Sequence, residues 1–262
     1  MLVTLPFIML LLDYWPLERQ LSPWKPLPRH GGHGVTALPK LLAEKWPFFL
    51  LAALSCVITL LAQRTGLPAQ NMGIFPRIET IAVNYLGYIE KLLWPQNLSF
   101  LYLRPDAIPV QECVMALLVL FCISALVYAG RRRCPALVTG WLWFLFMLLP
   151  VSGIVSLGRL SIADRYTYLA GIGLYLMVAW AFADIVGAWF QGWRKIVPAA
   201  AAAAILAVCA LLSRQQLGYW QNTQTLMEHA LQVDPGNYVA KQNLHIYLFE
   251  KAHPNLRPPP PD

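Results

Sequence analysis

Charged residues are scarce in this chain of 262 residues: 13% of them are charged and 58% are hydrophobic. Soluble domains carry roughly 25% charged residues, so the composition excludes an ordinary soluble globular protein. The formal net charge of +7 does not indicate nucleic-acid binding, because the basic residues lie in short groups between apolar runs. We therefore expect a membrane protein that is surrounded by lipid and has no nucleic-acid partner.

Metal ligands in a usable spacing are missing as well. The five cysteines form no Cys-x-x-Cys pair, and most lie in or beside apolar runs, as cysteines that act as small hydrophobic side chains do. His30 and His33 lie in a Gly-rich stretch without a third ligand nearby, so the sequence predicts no metal site. No cofactor is identified, and a divalent metal is not indicated.

Long apolar runs predict a polytopic, all-α bundle of transmembrane helices. Five runs have about the length that crosses a bilayer, roughly 17–25 residues: 47–63, 112–130, 135–157, 166–190 and 196–213. Residues 1–12 are apolar but too short to span, and they lack the features of a signal peptide. We expect them to be the second half of a helix that begins upstream, which makes the chain a fragment with a partial N-terminal span.

Basic residues are distributed unevenly between the connections. A Pro-rich linker over 13–46, the turn 131–134 with three consecutive arginines, and residues 191–195 hold ten basic residues together. The connections over 64–111 and 158–165 hold six over a longer total length. Cytoplasmic loops are enriched in Lys and Arg. The first group is therefore predicted on the cytoplasmic side of a bacterial inner membrane or its equivalent. The second group and everything after residue 213 are predicted on the extracytoplasmic side.

The connection over 64–111 contains a predicted amphipathic helix that ends near Trp94-Pro95. Apolar side chains recur at helical spacing along one face, and polar ones fall largely on the other. The apolar set is Ile78, Ile81, Ala82, Tyr85, Ile89, Leu92 and Leu93, and the polar set is Arg77, Glu79, Thr80, Asn84, Glu90 and Lys91. We interpret this as a helix lying in the membrane interface. A helix packed against the bundle is the alternative.

An ionisable cluster over residues 159–169 lies between two long apolar runs. It reads Arg-Leu-Ser-Ile-Ala-Asp-Arg-Tyr-Thr-Tyr-Leu. Charges are costly near membrane depth, so this cluster is a functional-site candidate. Arginine suits a lipid phosphate, because its planar guanidinium donates several charge-assisted hydrogen bonds and keeps its proton. The alternative is a polar turn in which Asp164 caps the next helix.

After the last span, residues 214–252 predict a short helical hairpin of the tetratricopeptide type. Ala230 is followed by Asp234-Pro235-Gly236-Asn237 and by Ala240, as at the junction between two helices of such a repeat. The alanine allows close helix approach, and the proline ends the first helix before Asn237 opens the second. Only about one repeat is present, and the Pro-rich residues 253–262 are predicted to be a tail.

Several segments together resemble one family, the GT-C-type membrane glycosyltransferases with C-terminal tetratricopeptide repeats, related to the TMTC protein O-mannosyltransferases. The segments that carry the resemblance are Leu2-Val3-Thr4-Leu5-Pro6-Phe7, Leu12-Asp13-Tyr14-Trp15-Pro16-Leu17, Gly140-Trp141-Leu142-Trp143-Phe144 and Ala163-Asp164-Arg165-Tyr166-Thr167-Tyr168-Leu169. The resemblance covers most of residues 1–250. The family usually continues Tyr-Leu-Pro where this chain has Tyr168-Leu169-Ala170.

The resemblance implies transfer of a sugar from a polyprenyl-phosphate donor onto an acceptor at the extracytoplasmic face. It implies that Arg159 and Arg165 bind the donor phosphate and that Asp164 orients Arg165 or caps the helix. It also implies that aromatic and basic side chains line the isoprenoid path and the same pocket, namely Tyr166, Tyr168, Tyr85, Tyr88 and Lys91. The alternative for each tyrosine is anchoring at the membrane interface.

The family's acidic catalytic residues are expected in an external loop upstream of Met1, so this chain alone is expected to lack the general base. A second function class is a non-catalytic membrane scaffold whose repeat binds an extracytoplasmic protein partner or acceptor. A third is a transporter, which ionisable groups near the bilayer midplane would indicate. Glu112 and Asp184 lie nearer to the predicted helix ends, which disfavours transport.

Overall fold

The structure is a computed structural model that describes residues 2–17, 38–63, 73–103, 108–153, 160–189 and 196–253. Within these ranges the chain is mainly helical, as predicted. The helices are α1 (Leu5–Tyr14), α2 (Leu38–Gln63), α3 (Ile74–Leu93), α4 (Val110–Gly130), α5 (Pro135–Leu148), α6 (Thr167–Trp189), α7 (Ile196–Tyr219), α8 (Thr223–Val233) and α9 (Tyr238–Ala252). Short 3-10 turns cover Leu2–Thr4, Leu149–Val151 and Asp164–Tyr166.

Two short strands form the non-helical part of the described fold. β1 (Tyr102–Leu103) follows α3, and β2 (Leu160–Ile162) precedes the turn into α6. The strands pair antiparallel, with Tyr102 opposite Ile162. The sequence analysis did not predict this pairing.

Four described helical stretches are long and apolar enough to cross a membrane: Pro39–Thr59, Val110–Gly130, Asp164–Trp189 and Ile196–Tyr219. Their large apolar side chains point outward, and Phe121 and Trp189 are 71% and 81% exposed. Continuous apolar surface of this kind marks contact with lipid or with a partner. The chain therefore fits an integral membrane protein.

Several of the predicted spans have different bounds in the structure. The segment predicted over 135–157 is the 14-residue helix α5, which passes into a 3-10 turn that ends at Val151. Pro150 in this turn has no amide hydrogen to continue a helix. In contrast, α2 starts at Leu38, well before Pro47, and includes that proline. The linker predicted over 13–46 is therefore helical from residue 38 onward.

Helices α5 and α6 pack closely against each other at two glycines. A Cβ atom placed on Gly140 would lie 2.4 Å from the carbonyl oxygen of Gly173, and one placed on Gly173 would lie 2.4 Å from that of Gly140. Small residues allow this backbone contact between helices in lipid. The indole Nε1 of Trp143 on α5 also donates a hydrogen bond to the Leu169 carbonyl oxygen on α6, at 2.8 Å.

Helix α3 packs against this helix pair, which is the alternative arrangement considered above. Tyr85 and Ile89 of the predicted apolar face are buried, and so is Tyr88, whereas Ile78 and Leu93 of that face are exposed. Thr80 and Asn84, which we had placed on the polar face, are buried as well, so that part of the prediction is wrong. The Asn84 amide donates to the carbonyl oxygen of Ser152 at 2.8 Å. Backbone groups of the turn after α5 need such partners once they are buried.

An ion pair joins the two N-terminal helices. The Asp13 carboxylate on α1 contacts the Lys45 ammonium on α2. Both residues are buried, with 2% and 3% of their surface exposed. Lys45 had been counted as part of the cytoplasmic linker, and its burial in α2 follows from this partner.

Helix α7 continues beyond the predicted end at residue 213 to Tyr219, and the helical hairpin α8–α9 follows. Met227 and Ala230 on α8 pack against Ala240 on α9 in a small apolar core. The Asn237 side chain caps α9, because its Oδ1 accepts a hydrogen bond from the Ala240 amide at 3.0 Å. The helical hairpin is thus present with the expected junction. Its assignment as a tetratricopeptide repeat stays a prediction.

Candidate functional site

The β1–β2 pair brings two distant parts of the sequence together. Residues 97–103, here called the cross-linking segment, leave the end of α3 and include β1. Residues 160–166 contain β2 and the Asp164–Tyr166 turn that leads into α6. The predicted ionisable cluster therefore lies at the start of an apolar helix, beside the C-terminal end of α3.

Tyr102 is the centre of the polar contacts in this region. Its hydroxyl oxygen accepts a hydrogen bond from the Ser99 amide at 2.8 Å. The same oxygen lies 3.1 Å from the Asn97 carbonyl oxygen and 3.3 Å from the Asp164 Oδ2, so its single proton is shared between two acceptors. Burial, followed by the nearby Asp164 charge, raises the pKa of Tyr102.

Lys91, at the end of α3, adds a cation to the same region. Its ammonium donates to the Gln96 carbonyl oxygen at 3.1 Å and lies 5.3 Å from the centre of the Tyr102 ring. That distance is within the range of a cation–π contact. The predicted residues Lys91 and Asp164 therefore lie on either side of Tyr102.

Arg165 is exposed and has its guanidinium 5.2 Å from the centre of the Tyr166 ring. Among the described contacts, the Asp164 carboxylate faces Tyr102 and forms no ion pair with Arg165. Tyr166 is half-buried against the core. Tyr168 is 76% exposed. Arg165 is thus exposed, and it directly follows Asp164, whose carboxylate contacts the Tyr102 hydroxyl.

Tyr85 and Tyr88 lie in the core beneath the cluster, and the structure places neither at its surface. The Tyr85 hydroxyl donates to the Leu145 carbonyl oxygen at 2.6 Å, and burial raises the pKa of Tyr85 to about 12. The Tyr88 hydroxyl oxygen accepts from the Ala163 amide at 3.4 Å, and burial is also the main cause that raises the pKa of Tyr88. Tyr88 thus supports the residue before the turn, whereas Tyr85 binds the backbone of α5.

Arg159, the other predicted phosphate ligand, lies outside the described residues. Of the predicted set, the structure brings Lys91 and Asp164 to Tyr102, and Arg165, Tyr166 and Tyr168 follow Asp164 in the turn into α6. Within the described ranges, no group of three or more His, Cys, Asp or Glu side chains is arranged to hold a metal ion.

Tyr102 and the segment that carries it are not among the residues predicted from the sequence. A two-residue strand is too short to show the alternation by which strands are recognised. A weaker signal was present in Trp94-Pro95-Gln96-Asn97, where proline and asparagine favour a turn. Asn97 has a φ of 51°, the left-handed region that asparagine tolerates better than most residues.

Comparison of the chain with protein-family models, with curated proteins and with solved structures finds no match.

Proposed function

We propose that Lys91, Tyr102, Asp164, Arg165 and Tyr166, here called the donor cluster, bind the phosphate of a polyprenyl-phosphate-linked sugar. In this proposal the chain is part of a GT-C-type glycosyltransferase that acts at the extracytoplasmic face of a membrane. The observation that carries the proposal is an exposed Arg165 at the head of an apolar helix, directly after the Asp164 carboxylate that contacts Tyr102, with the Lys91 ammonium 5.3 Å from the centre of the Tyr102 ring. No described residue is given the role of the general base.

The polar half of the ligand fits the donors of the cluster. Arg165 offers the planar guanidinium that suits bidentate hydrogen bonding to phosphate oxygens. Lys91 uses one N–H for Gln96, and an ammonium has three donors, so two remain for a ligand. A phosphate monoester or diester accepts such hydrogen bonds with more strength than a neutral group does.

The apolar half of the ligand fits the surface of α6 below Arg165. Tyr168, Ile172 and Tyr175 are exposed, and their spacing of four and three residues puts them on one helical face. This stripe runs from the donor cluster along a helix long enough to cross the bilayer. An isoprenoid chain that follows the stripe would stay in lipid while its phosphate reaches Arg165.

The proposed sidedness rests on the basic turn between α4 and α5. Arg131, Arg132 and Arg133 lie at the end of α5 opposite to the turn at residues 149–153. The positive-inside rule assigns the arginine turn to the cytoplasm. The donor cluster leads into α6, whose first turns meet Trp143 in the second half of α5, and we infer that it is extracytoplasmic.

The alternative of a scaffold that binds a protein through its hairpin is less well supported. One side of the α8–α9 hairpin is already occupied by the cross-linking segment, since Phe100 packs against its apolar core. A single hairpin also offers little of the concave surface that repeat arrays use for binding. The contacts of the hairpin therefore favour a role within the chain.

Replacing Arg165 by alanine is expected to weaken binding of a polyprenyl phosphate about tenfold, because one charge-assisted hydrogen-bonding group is lost. The measurement is the affinity of the purified protein in lipid nanodiscs, from quenching of tryptophan fluorescence. Arg133→Ala is the matched control, since it removes an exposed arginine from the opposite end of α5. An equal loss in both variants would indicate general attraction to anionic lipid and would refute the donor cluster.

A further inference from the structure

We propose that the α8–α9 hairpin positions the residues of the donor cluster. It holds the backbone of residues 98–101, and through Tyr102 it fixes Asp164 next to Arg165. Asn237 is the main positioning residue in this account. The role in binding depends on the proposed function, whereas the hold on Tyr102 and Asp164 does not.

Three contacts from the hairpin meet the cross-linking segment. The His229 Nε2 on α8 lies 3.0 Å from the Leu98 carbonyl oxygen; since that oxygen can only accept, Nε2 carries the proton. Phe100 packs on the Met227–Ala230–Ala240 core. The Asn237 Nδ2 donates to the Leu101 carbonyl oxygen at 3.2 Å. Both halves of the hairpin thus contact the segment, at Leu98, Phe100 and Leu101.

The other side of the same segment holds the candidate site. Tyr102 follows Leu101 directly. Its hydroxyl oxygen accepts a hydrogen bond from the Ser99 amide, and the hydroxyl is within hydrogen-bonding distance of the Asp164 carboxylate. β1 and β2 are hydrogen-bonded to each other next to this contact. A shift of the Leu101 carbonyl therefore moves Tyr102 and β2, and β2 leads directly into the Asp164–Tyr166 turn.

The Asn237 side chain has two separable functions. Its Oδ1 caps α9 by accepting from the Ala240 amide, which an aspartate also does well. Its Nδ2 donates to Leu101, which an aspartate cannot do once it is ionised. Asn237→Asp therefore keeps the helix cap and removes one of the three contacts with the cross-linking segment, after which the Leu101 carbonyl oxygen keeps only the Ser99 hydroxyl among its described donors.

The same hairpin supplies a matched control. Asn222 caps α8 through its Oδ1, which accepts from the Thr225 amide at 2.9 Å. Asn222 is exposed, whereas Asn237 is fully buried. Asn222→Asp makes the same chemical change, with the same added charge, at a cap away from the contacts with residues 98–101.

The experiment compares wild type, Asn237→Asp and Asn222→Asp, each as the purified chain in nanodiscs. Two quantities are measured: hydrogen exchange of residues 160–163 without ligand, and affinity for a polyprenyl phosphate relative to the polyprenol of equal length. Asn237→Asp is expected to speed exchange in 160–163 and to weaken phosphate binding about tenfold, the effect of losing one buried hydrogen bond. Polyprenol binding should not change, and Asn222→Asp should match wild type.

Unchanged exchange in residues 160–163 of Asn237→Asp, or an equal increase in Asn222→Asp, would overturn the proposal. Phe100→Ser, which leaves both helix caps intact, must reproduce the Asn237→Asp pattern and serves in its place if that variant does not fold. In another outcome, Asn237→Asp exchanges faster than wild type, but wild type does not prefer polyprenyl phosphate over polyprenol. This result would support the hold of the hairpin on the turn. The same result would refute the donor cluster, so the two failures are distinguishable.

Discussion

Replacing Lys45 by methionine is expected to cost about 3–5 kcal/mol of stability, because it removes a buried cation that contacts the buried carboxylate of Asp13. Both partners are almost fully buried between α1 and α2. Methionine keeps much of the length and the apolar stem of lysine, so the effect reports the lost charge more than lost packing. Thermal unfolding in detergent, followed by size-exclusion chromatography, measures the change.

Two further variants make this prediction specific. Lys40→Met removes an exposed lysine from the first turns of the same helix and is expected to change stability by less than about 0.5 kcal/mol. Combining Lys45→Met with Asp13→Asn removes both charges, and a buried pair replaced by neutral groups is often tolerated. The double variant is therefore expected to be more stable than Lys45→Met alone. A double variant that is less stable would show that the ion pair does not govern this contact.

The second large effect is expected from Gly173→Leu, at about 3 kcal/mol. A Cβ atom there would meet the Gly140 carbonyl oxygen at 2.4 Å and the Trp143 Cβ at 2.8 Å. The first of these is a backbone atom, so the helices α5 and α6 must separate. The fall in Tm is then roughly 6–12 °C for a chain of this size.

Gly187→Leu is the control for this prediction, because Gly187 lies on the same helix with no atom within 4 Å of the position of an added Cβ. The substitution adds the same side chain to an open face of α6 and is expected to be close to neutral. If both glycine variants lower the Tm equally, close packing against α5 does not explain the loss. Since leucine is itself the better helix former, the added side chain is then unfavourable anywhere on α6.

The helical fold could be predicted from the sequence because the apolar runs have the length of membrane spans. The helix bounds were harder, since they depend on contacts between distant residues. Pro47 suggested a helix start, yet α2 begins before it and is joined to α1 through Lys45. Asn84 was assigned to the polar face of α3, but it is buried where the Ser152 carbonyl oxygen needs a donor. Periodicity alone does not contain such information.

The candidate site was found only in part for a related reason. Asp164, Arg165 and Tyr166 stand next to each other in the sequence, so their charge and aromatic character between apolar runs could be recognised. Tyr102 lies far from them in the sequence and meets Asp164 only through a strand pair too short to leave a pattern. The second contact of Asn237 was hidden too, because its role as a helix cap already explained the residue.

Photo-crosslinking tests the central claim, that the donor cluster binds a polyprenyl phosphate, most directly. A polyprenyl phosphate with a diazirine in its first isoprene unit is added to the protein in nanodiscs, and the modified residues are identified by mass spectrometry. We expect adducts on α6 near Tyr168 and Ile172, which unlabelled polyprenyl phosphate suppresses and polyprenol of equal length does not. Adducts near Arg131–Arg133, or an even spread over all lipid-facing helices, would contradict the account.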